Sequence, residues 1–316
     1  MLKRWFWRAQ ISILCACPPL HGVVVRHGIG SNRSGKLWIV TLLRLALRAI
    51  PALFSYCRDK LKKRVVLPRV SVGITTRCTL NCDKCVGHIA DLQTHEDFPL
   101  DVLLRDIKAL LSHVDYIYAF NLSGGETFLH PELDQIIRFC AASNRIGTID
   151  LSTNGTLIPN QATLSALRDA KATVRISRYA PALQPNVEQL KTILKENGIH
   201  YLHESGDYWY DTGDLGRLQE GSAKRRFSIC AQRLCPTCYQ GNLYLCSPSL
   251  VLTEKEGAGG SEDSIAVRAV SAAEFRRQWK ELHKKHVITT CSYCQGFSYQ
   301  TPRVPVAEQR ERHAAD

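Results

Sequence analysis

The chain has 316 residues and a formal net charge of +12. Its apolar content of 45% and charged content of 22% are those of a globular protein with a sizeable core, and they exclude a disordered or collagen-like chain. The charge is local: residues 1–64 carry 13 Lys and Arg against one acid, Asp59, whereas residues 65–316 carry 28 of each sign. The body is therefore neutral, and the cationic excess is no argument for nucleic-acid binding by it.

Within 1–64, Lys3, Arg4 and Arg8 precede an apolar run over 11–20 that Pro18 and Pro19 cut short, with no clear small-residue cleavage site. Over 37–56, Thr41, Arg44, Arg48 and Ser55 recur on one narrow helical face and apolar residues fill the rest. Two arginines in mid-segment disfavour a span, at about 2.5–3.5 kcal/mol each, and Pro51 would kink it. Arg58, Lys60, Lys62, Lys63 and Arg64 follow. Three readings stay open: a helix lying in a membrane surface with its cations on anionic headgroups, a helix docked on the body with a solvated basic tail, or, against the cost of those arginines, a true span.

From 65 onward, strand and helix patterns alternate. Strands are expected over 69–75, 116–123, 146–152, 172–177 and 199–203, where β-branched and aromatic residues cluster. Between them, helices are expected over 100–114, from Pro131 through Cys140, over 161–170 and over 186–197, the last stopping before Gly198. This alternation means βα units and a parallel sheet. Residues 205–229 read as polar and aromatic loop, and a short hairpin is expected around 241–246.

Thirteen cysteines are present, and nine fall into two groups, 78–85 and 230–294. Clustered cysteines separated by long periodic segments indicate metal or iron–sulfur ligation in a reducing compartment rather than a disulfide scaffold. Ligands of parallel α/β sheets gather at the carboxyl ends of strands. The notable motifs lie there: Cys78, Cys82 and Cys85 in a C-x3-C-x2-C spacing after the first strand, Ser123-Gly124-Gly125-Glu126 after the second, Ser152-Thr153-Asn154-Gly155 after the third, and Ser177-Arg178-Tyr179 after the fourth. Three thiolates can hold three irons of a cubane and leave the fourth open for chemistry. Taken alone, the same spacing also suits a zinc site completed by a distant ligand such as His88.

Together these residues resemble the radical S-adenosylmethionine (SAM) superfamily over about 69–204. The resemblance implies an α/β fold, a partial (βα)6 barrel carrying a 4Fe–4S cluster on Cys78, Cys82 and Cys85. It places the SAM amino group on Gly124, Gly125 and Glu126, the ribose by Ser152 and Asn154, and, more loosely, polar SAM contacts at Ser177, Arg175 and Arg178. One departure is Lys84, where an aromatic residue usually precedes the third cysteine. The implied reaction is reductive cleavage of SAM to a 5′-deoxyadenosyl radical that abstracts a substrate hydrogen. The chemistry belongs to the cofactor, and the protein supplies ligation, orientation and exclusion of water.

The second group, Cys230, Cys235, Cys238, Cys246, Cys291 and Cys294, with Gly241 ahead of Cys246, resembles the auxiliary-cluster extension of such enzymes in its twitch or truncated SPASM form. That implies a second 4Fe–4S cluster on Cys230, Cys246, Cys291 and Cys294, with Cys235 and Cys238 able to substitute. A zinc site on Cys235, Cys238, Cys291 and Cys294 is the alternative. The stretch His203–Asp211 lies where it could line a cavity between the two regions or merely cap the barrel. Cys15, Cys17, Cys57 and Cys140 are expected to act as small hydrophobes.

Four regions are therefore expected: a basic leader over 1–64 with an amphipathic helix, a barrel core over 65–204, a cap and cysteine-rich auxiliary region over 205–300, and a tail over 301–316. The expected partners are a small-molecule, carbohydrate or peptide substrate and an electron donor such as flavodoxin or ferredoxin, in the cytoplasm, with a peripheral position at the inner membrane surface left open by the leader. The competing reading is a non-enzymatic, membrane-associated metal-binding protein with zinc at both sites.

Overall fold

The computed structural model describes residues 57–310, apart from 60, 93, 204–207, 217 and 257–262. The helix expected over 37–56 lies outside the described residues. Among those described, no helix is long and apolar enough to cross a membrane. Asp59, the leader's one acid, is held by Arg64 at 3.0 Å and Arg58 at 3.5 Å.

Five strands follow in chain order, each feeding the next through a helical connection: β1 (Val66–Thr75), β2 (Tyr116–Gly124), β3 (Ile146–Thr153), β4 (Thr173–Ile176) and β5 (His200–His203). All pair in parallel as β5-β4-β3-β2-β1. The helices of these units are α1 (Leu100–His113), α2 (Leu133–Ala141), α3 (Gln161–Asp169) and α4 (Val187–Glu196). Their apolar spacing turns one stripe inward: Leu103, Ile107, Leu110 and Leu111 on α1, and Leu133, Ile136, Ile137 and Cys140 on α2. Asn160 starts α3 by accepting from Thr163 N at 2.9 Å.

The fold is α/β with a mostly parallel central sheet, consistent with a partial radical SAM barrel. The sixth parallel strand, β7 (Thr237–Tyr239), joins beside β1 rather than beyond β5, and β8 (Asn242–Tyr244) and β9 (Ser264–Ala266) continue antiparallel from it. Gln240 and Gly241 form the two-residue turn of the expected hairpin, with φ of 45° and 75°, the twist that closes right-handed strands.

The two faces of the parallel sheet differ. Val70, Val72, Phe120, Leu122, Leu151 and Val174 belong to the buried apolar core with the helices. On the opposite parity lie Arg69 and Ser71, Asn121 and Ser123, Asp150 and Ser152, and Arg175, set side by side by the strand register. A parallel sheet buried on both faces is ordinarily apolar throughout, so this polar strip sets this face apart from the one packed on the helices.

Three segments depart from the sequence expectation. Within 205–229 the chain forms β6 (Trp209–Tyr210) and α5 (Ala223–Ile229). Helix α5 is short and basic and has no apolar period to reveal it; Ser222 caps it by accepting from Arg225 N at 3.2 Å. Beyond Cys246 lie α6 (Ser247–Glu256) and α7 (Ala272–Lys284), the latter anchored by buried Phe275 and Leu282. The segment read as a tail, from 301, runs back over the body: β10 (Arg303–Val304) pairs antiparallel with β6.

Candidate functional site

The loop that follows β1 is pinned at its base. Thr75 Oγ1 donates to Asp97 at 2.7 Å, Arg77 pairs with Asp97 at 2.6 Å, and Thr76 Oγ1 accepts from Glu96 N at 2.8 Å. The end of β2 is tied to the same loop, because Gly125 N donates to Thr75 O at 2.9 Å and Glu126 N to Arg77 O at 2.8 Å. A Cβ on Gly125 would collide with the Arg77 carbonyl and come within 3.0 Å of Cys78 Cβ, so only glycine allows this approach.

The end of β3 closes the third side. Asn154 Nδ2 donates to Thr79 Oγ1 at 2.9 Å and lies 3.6 Å from Cys78 Sγ, and Thr79 and Thr156 share a hydrogen bond of 2.6 Å. Glu126 is fully buried and links β2 to β3: its carboxylate accepts from Phe128 N at 3.0 Å, Thr153 Oγ1 at 2.8 Å and Asn154 N at 2.7 Å. Burial pushes its carboxyl above the ordinary value, against the pull of those three donors. Cys78, Gly125, Glu126 and Asn154, from three different strand ends, thus meet in one place.

Ser177 joins by its backbone, donating to Thr153 O at 2.9 Å. Gln184, which sequence reasoning missed, braces this corner: its amide bonds the Asn154 carbonyl and Ser177 O at 2.6 Å and accepts from Tyr179 N at 2.8 Å. Tyr179 was quoted in its motif without a role. Burial raises its phenol, and its ring meets that of Trp209 edge-on with centroids 5.8 Å apart. Lys84 turns aside to Asp211 at 3.5 Å. Arg175 is drawn below the SAM-type motifs to Asp150 at 2.8 Å, where Arg69 pairs at the same distance and Asn121 donates at 3.0 Å. Among the described residues, Asp150 Oδ1 is buried with no hydrogen-bond partner.

His88 holds Asp91 through Nδ1 at 2.8 Å and Thr212 through Nε2 at 3.1 Å. Both ring nitrogens are committed, which removes His88 as the fourth ligand of a zinc site.

Four of the six later cysteines surround one small cavity: Cys230, Cys246, Cys291 and Cys294 line it, with Thr212, Arg226 and Thr290. Gly296 N donates to Cys294 Sγ at 3.2 Å, Ser249 Oγ lies 3.2 Å from Cys246 Sγ, and Arg226 clamps the Cys291 carbonyl at 2.7 and 3.1 Å. Cys235 and Cys238 point elsewhere, Cys235 onto Arg69 and Cys238 into the apolar core. The zinc alternative that pairs them with Cys291 and Cys294 therefore lacks its geometry. Cys140 is fully buried in the core, as expected of a small hydrophobe.

Burial holds the thiols protonated: Cys78 is pushed up to about 11, and Cys291 and Cys294 to about 12. Among the described residues, no three His, Cys, Asp or Glu side chains are already closed around a metal-sized point.

Residues 72–206 match the family model described as the Radical SAM superfamily. A GTP 3′,8-cyclase of Chlorobaculum tepidum is 33% identical over 102 residues, 32% of this chain and 29% of that protein. One of Microcystis aeruginosa is 34% identical over 95 residues, 29% and 28% of the two chains. The chain thus spans less than a third of the length of these two curated relatives. Among solved structures, BtrN in complex with AdoMet and 2-DOIA aligns with a TM-score of 0.46 and 16% identity, over 77% of this chain and 97% of that one. Native anSMEcpe with bound AdoMet and Cp18Cys peptide aligns with a TM-score of 0.36 and 20% identity, over 43% and 42%. Over residues 72–206, less than half of its length, the chain is similar to the radical SAM superfamily.

Proposed function

We propose that the chain is an enzyme that reductively cleaves SAM at a 4Fe–4S cluster on Cys78, Cys82 and Cys85. The bound cluster and SAM would supply a 5′-deoxyadenosyl radical for hydrogen abstraction. The observation that carries this reading is the state of Glu126. An ionised carboxylate offers about four acceptor positions; Glu126 fills three with Phe128, Thr153 and Asn154, all within the protein. The position left on Oε2, beside the loop of three thiols, suits an ammonium group such as that of SAM. Gly124 and Gly125 bring the backbone close there, and Ser152 and Asn154 offer polar groups for a ribose. Ser177 contributes at this corner through its backbone. Arg175, committed to Asp150, is better suited to the interior below.

A second 4Fe–4S cluster on Cys230, Cys246, Cys291 and Cys294 is supported by their shared cavity and by the Gly296 amide aimed at Cys294 Sγ. The polar inner face supports a substrate rich in hydrogen-bonding groups, a carbohydrate, another small polar molecule or a peptide. Asp150 Oδ1 is an unfilled acceptor that would take a hydroxyl or amide donor, flanked by the two guanidinium groups of Arg69 and Arg175. The reaction needs a one-electron donor, of which flavodoxin and ferredoxin are the usual kinds.

Anaerobic reconstitution followed by iron analysis and product detection tests the reading. The expected result is about eight irons per chain, for two cubanes, and reductant-dependent release of 5′-deoxyadenosine. Stoichiometric zinc with no SAM cleavage would overturn it.

A further inference from the structure

Among the described residues, a segment from the far end of the chain also touches the first cysteine loop. Asp211 N donates to Pro302 O at 2.9 Å, β10 pairs with β6, and the chain then turns at buried Ala307, whose φ of 55° is left-handed and unfavourable for a residue with a Cβ. Residues 308–310 then run along the loop through a single antiparallel β-bridge. Asp83 N donates to Glu308 O at 2.8 Å, Arg310 N to Asn81 O at 2.8 Å, and Cys82 and Gln309 form the bridge between them. Arg310 locks the end, pairing with Asp83 at 2.9 Å and Asp91 at 2.7 Å and donating to Ala90 O at 3.1 Å.

The Gln309 side chain faces the loop with every polar atom engaged. Its Oε1 accepts from Asn81 N at 2.9 Å, and its Nε2 donates to Ala307 O at 2.7 Å and to Cys82 Sγ at 3.1 Å. This network fixes which end of the amide is which. Reversed, it would set an N–H against the Asn81 N–H and an oxygen against both the Ala307 carbonyl and the cysteine sulfur. Cys82 therefore receives a directed N–H from outside its own loop.

We propose that residues 308–310 are a strap completing the wall of the cluster loop, and that Gln309 is a positioning residue whose amide, by donating to Cys82 Sγ, raises the reduction potential of the cluster held there. The inference rests on the function proposed above. A hydrogen bond to a ligating sulfur stabilises the added negative charge of the reduced cluster more than the oxidised form, and such bonds are one of the levers by which proteins set cluster potentials. A glutamine does this without bringing a charge of its own.

The test is redox titration of the reconstituted full-length protein, followed by electron paramagnetic resonance. The signal that changes when SAM is added reports the cluster with the open iron, and the signal indifferent to SAM reports the second site. Gln309→Leu removes the donor. Gln309→Glu is isosteric, keeps the acceptor for Asn81 N, and sets a carboxylate oxygen against the sulfur; it decides the matter if the leucine variant does not fold. The expected result is a midpoint for the SAM-responsive signal that is more negative than wild type in both variants, further in Gln309→Glu, with the second signal unmoved. An unchanged midpoint in a folded variant overturns the proposal and leaves Gln309 a structural peg. A wild-type protein with no SAM-responsive iron–sulfur signal instead overturns the proposed function, and the inference falls with it.

Discussion

Replacing Glu126 with glutamine separates the two tasks the structure assigns to this side chain. The amide oxygen is best spent where Oε1 now accepts from Phe128 N and Thr153 Oγ1, which turns the amide nitrogen toward the Asn154 N–H. One buried backbone donor is then left facing another donor, a cost of about 1–3 kcal/mol. For a chain of this size each kcal/mol lowers the melting temperature by roughly 2–4 °C, so the variant should melt several degrees early and still fold. The effect on ligand binding is larger, because the charge that would meet an ammonium group is gone. A hydrogen bond to a charged group contributes about 1.5–3 kcal/mol, so SAM should bind roughly ten- to a hundredfold more weakly. The assay is equilibrium titration of the anaerobically reconstituted variant with SAM, with a melting curve on the same sample. A folded, iron-loaded Glu126→Gln that binds SAM within about threefold of wild type would refute the role given to Oε2.

Other outcomes follow from the same geometry. Gly125→Ala should drive the 77–78 backbone out of place, and the purified protein should hold markedly less iron at the first site while its second site loads normally. Cys82→Ala should abolish 5′-deoxyadenosine formation, whereas Cys294→Ala should keep SAM cleavage and lose substrate turnover; identical behaviour would merge the two sites into one. Cluster loading should strengthen from pH 7 to pH 9, since thiols held near 11 and 12 must be deprotonated to ligate, by about tenfold per pH unit for each proton released; a flat profile would count against thiolate ligation by these residues. Burial alone would raise Asp91, but the bonds from His88 and Arg310 outweigh it and hold the carboxyl well below its ordinary range. The stability it contributes is therefore full above the unfolded value near 4 and is lost as pH falls below it. The melting difference between wild type and Asp91→Asn should narrow from about pH 4 downward.

The barrel core was legible because each element announced itself with its own period. The stripe of Leu103, Ile107, Leu110 and Leu111 sits on a helix within a residue of its expected bounds; the first three strands run one to three residues longer than expected and the last two one or two residues shorter. The cysteine loop and the Gly-Gly-Glu motif were legible because strand ends are where such residues gather, and the structure brings them together. The four cysteines lining the later cavity were selected by resemblance, and the structure sets Cys235 and Cys238 apart from them for a reason spacing could not supply: β7 turns Cys238 into the core. Gln184 and Gln309 carried no signal, since a lone glutamine distant in sequence from its partners looks like any surface residue. Tyr179 had a weak one, its place after β4. Helix α5 was missed because its residues are chosen for Arg226, which clamps the Cys291 carbonyl, and not for a stripe of apolar side chains.

The two cysteine regions, read in the sequence as separate modules, interlock through polar groups other than the later thiols. His88, three residues past Cys85, reaches Thr212 on the wall of the later cavity, and Thr212 O in turn accepts from Gln295 N at 2.9 Å, next to Cys294. Lys84 pairs with Asp211, and the strap runs from the later region back to Asn81 and Asp83. Every one of these links ends on backbone or on a side chain beside a cysteine, and none on a later cysteine's sulfur. Removing a later thiol should therefore leave the first loop in place, whereas cutting a link should loosen both regions at once. His88→Phe keeps the ring volume and removes both bonds, so it distinguishes the cases: it should slow iron uptake at both sites together, while Cys294→Ala slows it at one. If His88→Phe loads both sites as wild type does, the regions share a surface without depending on each other.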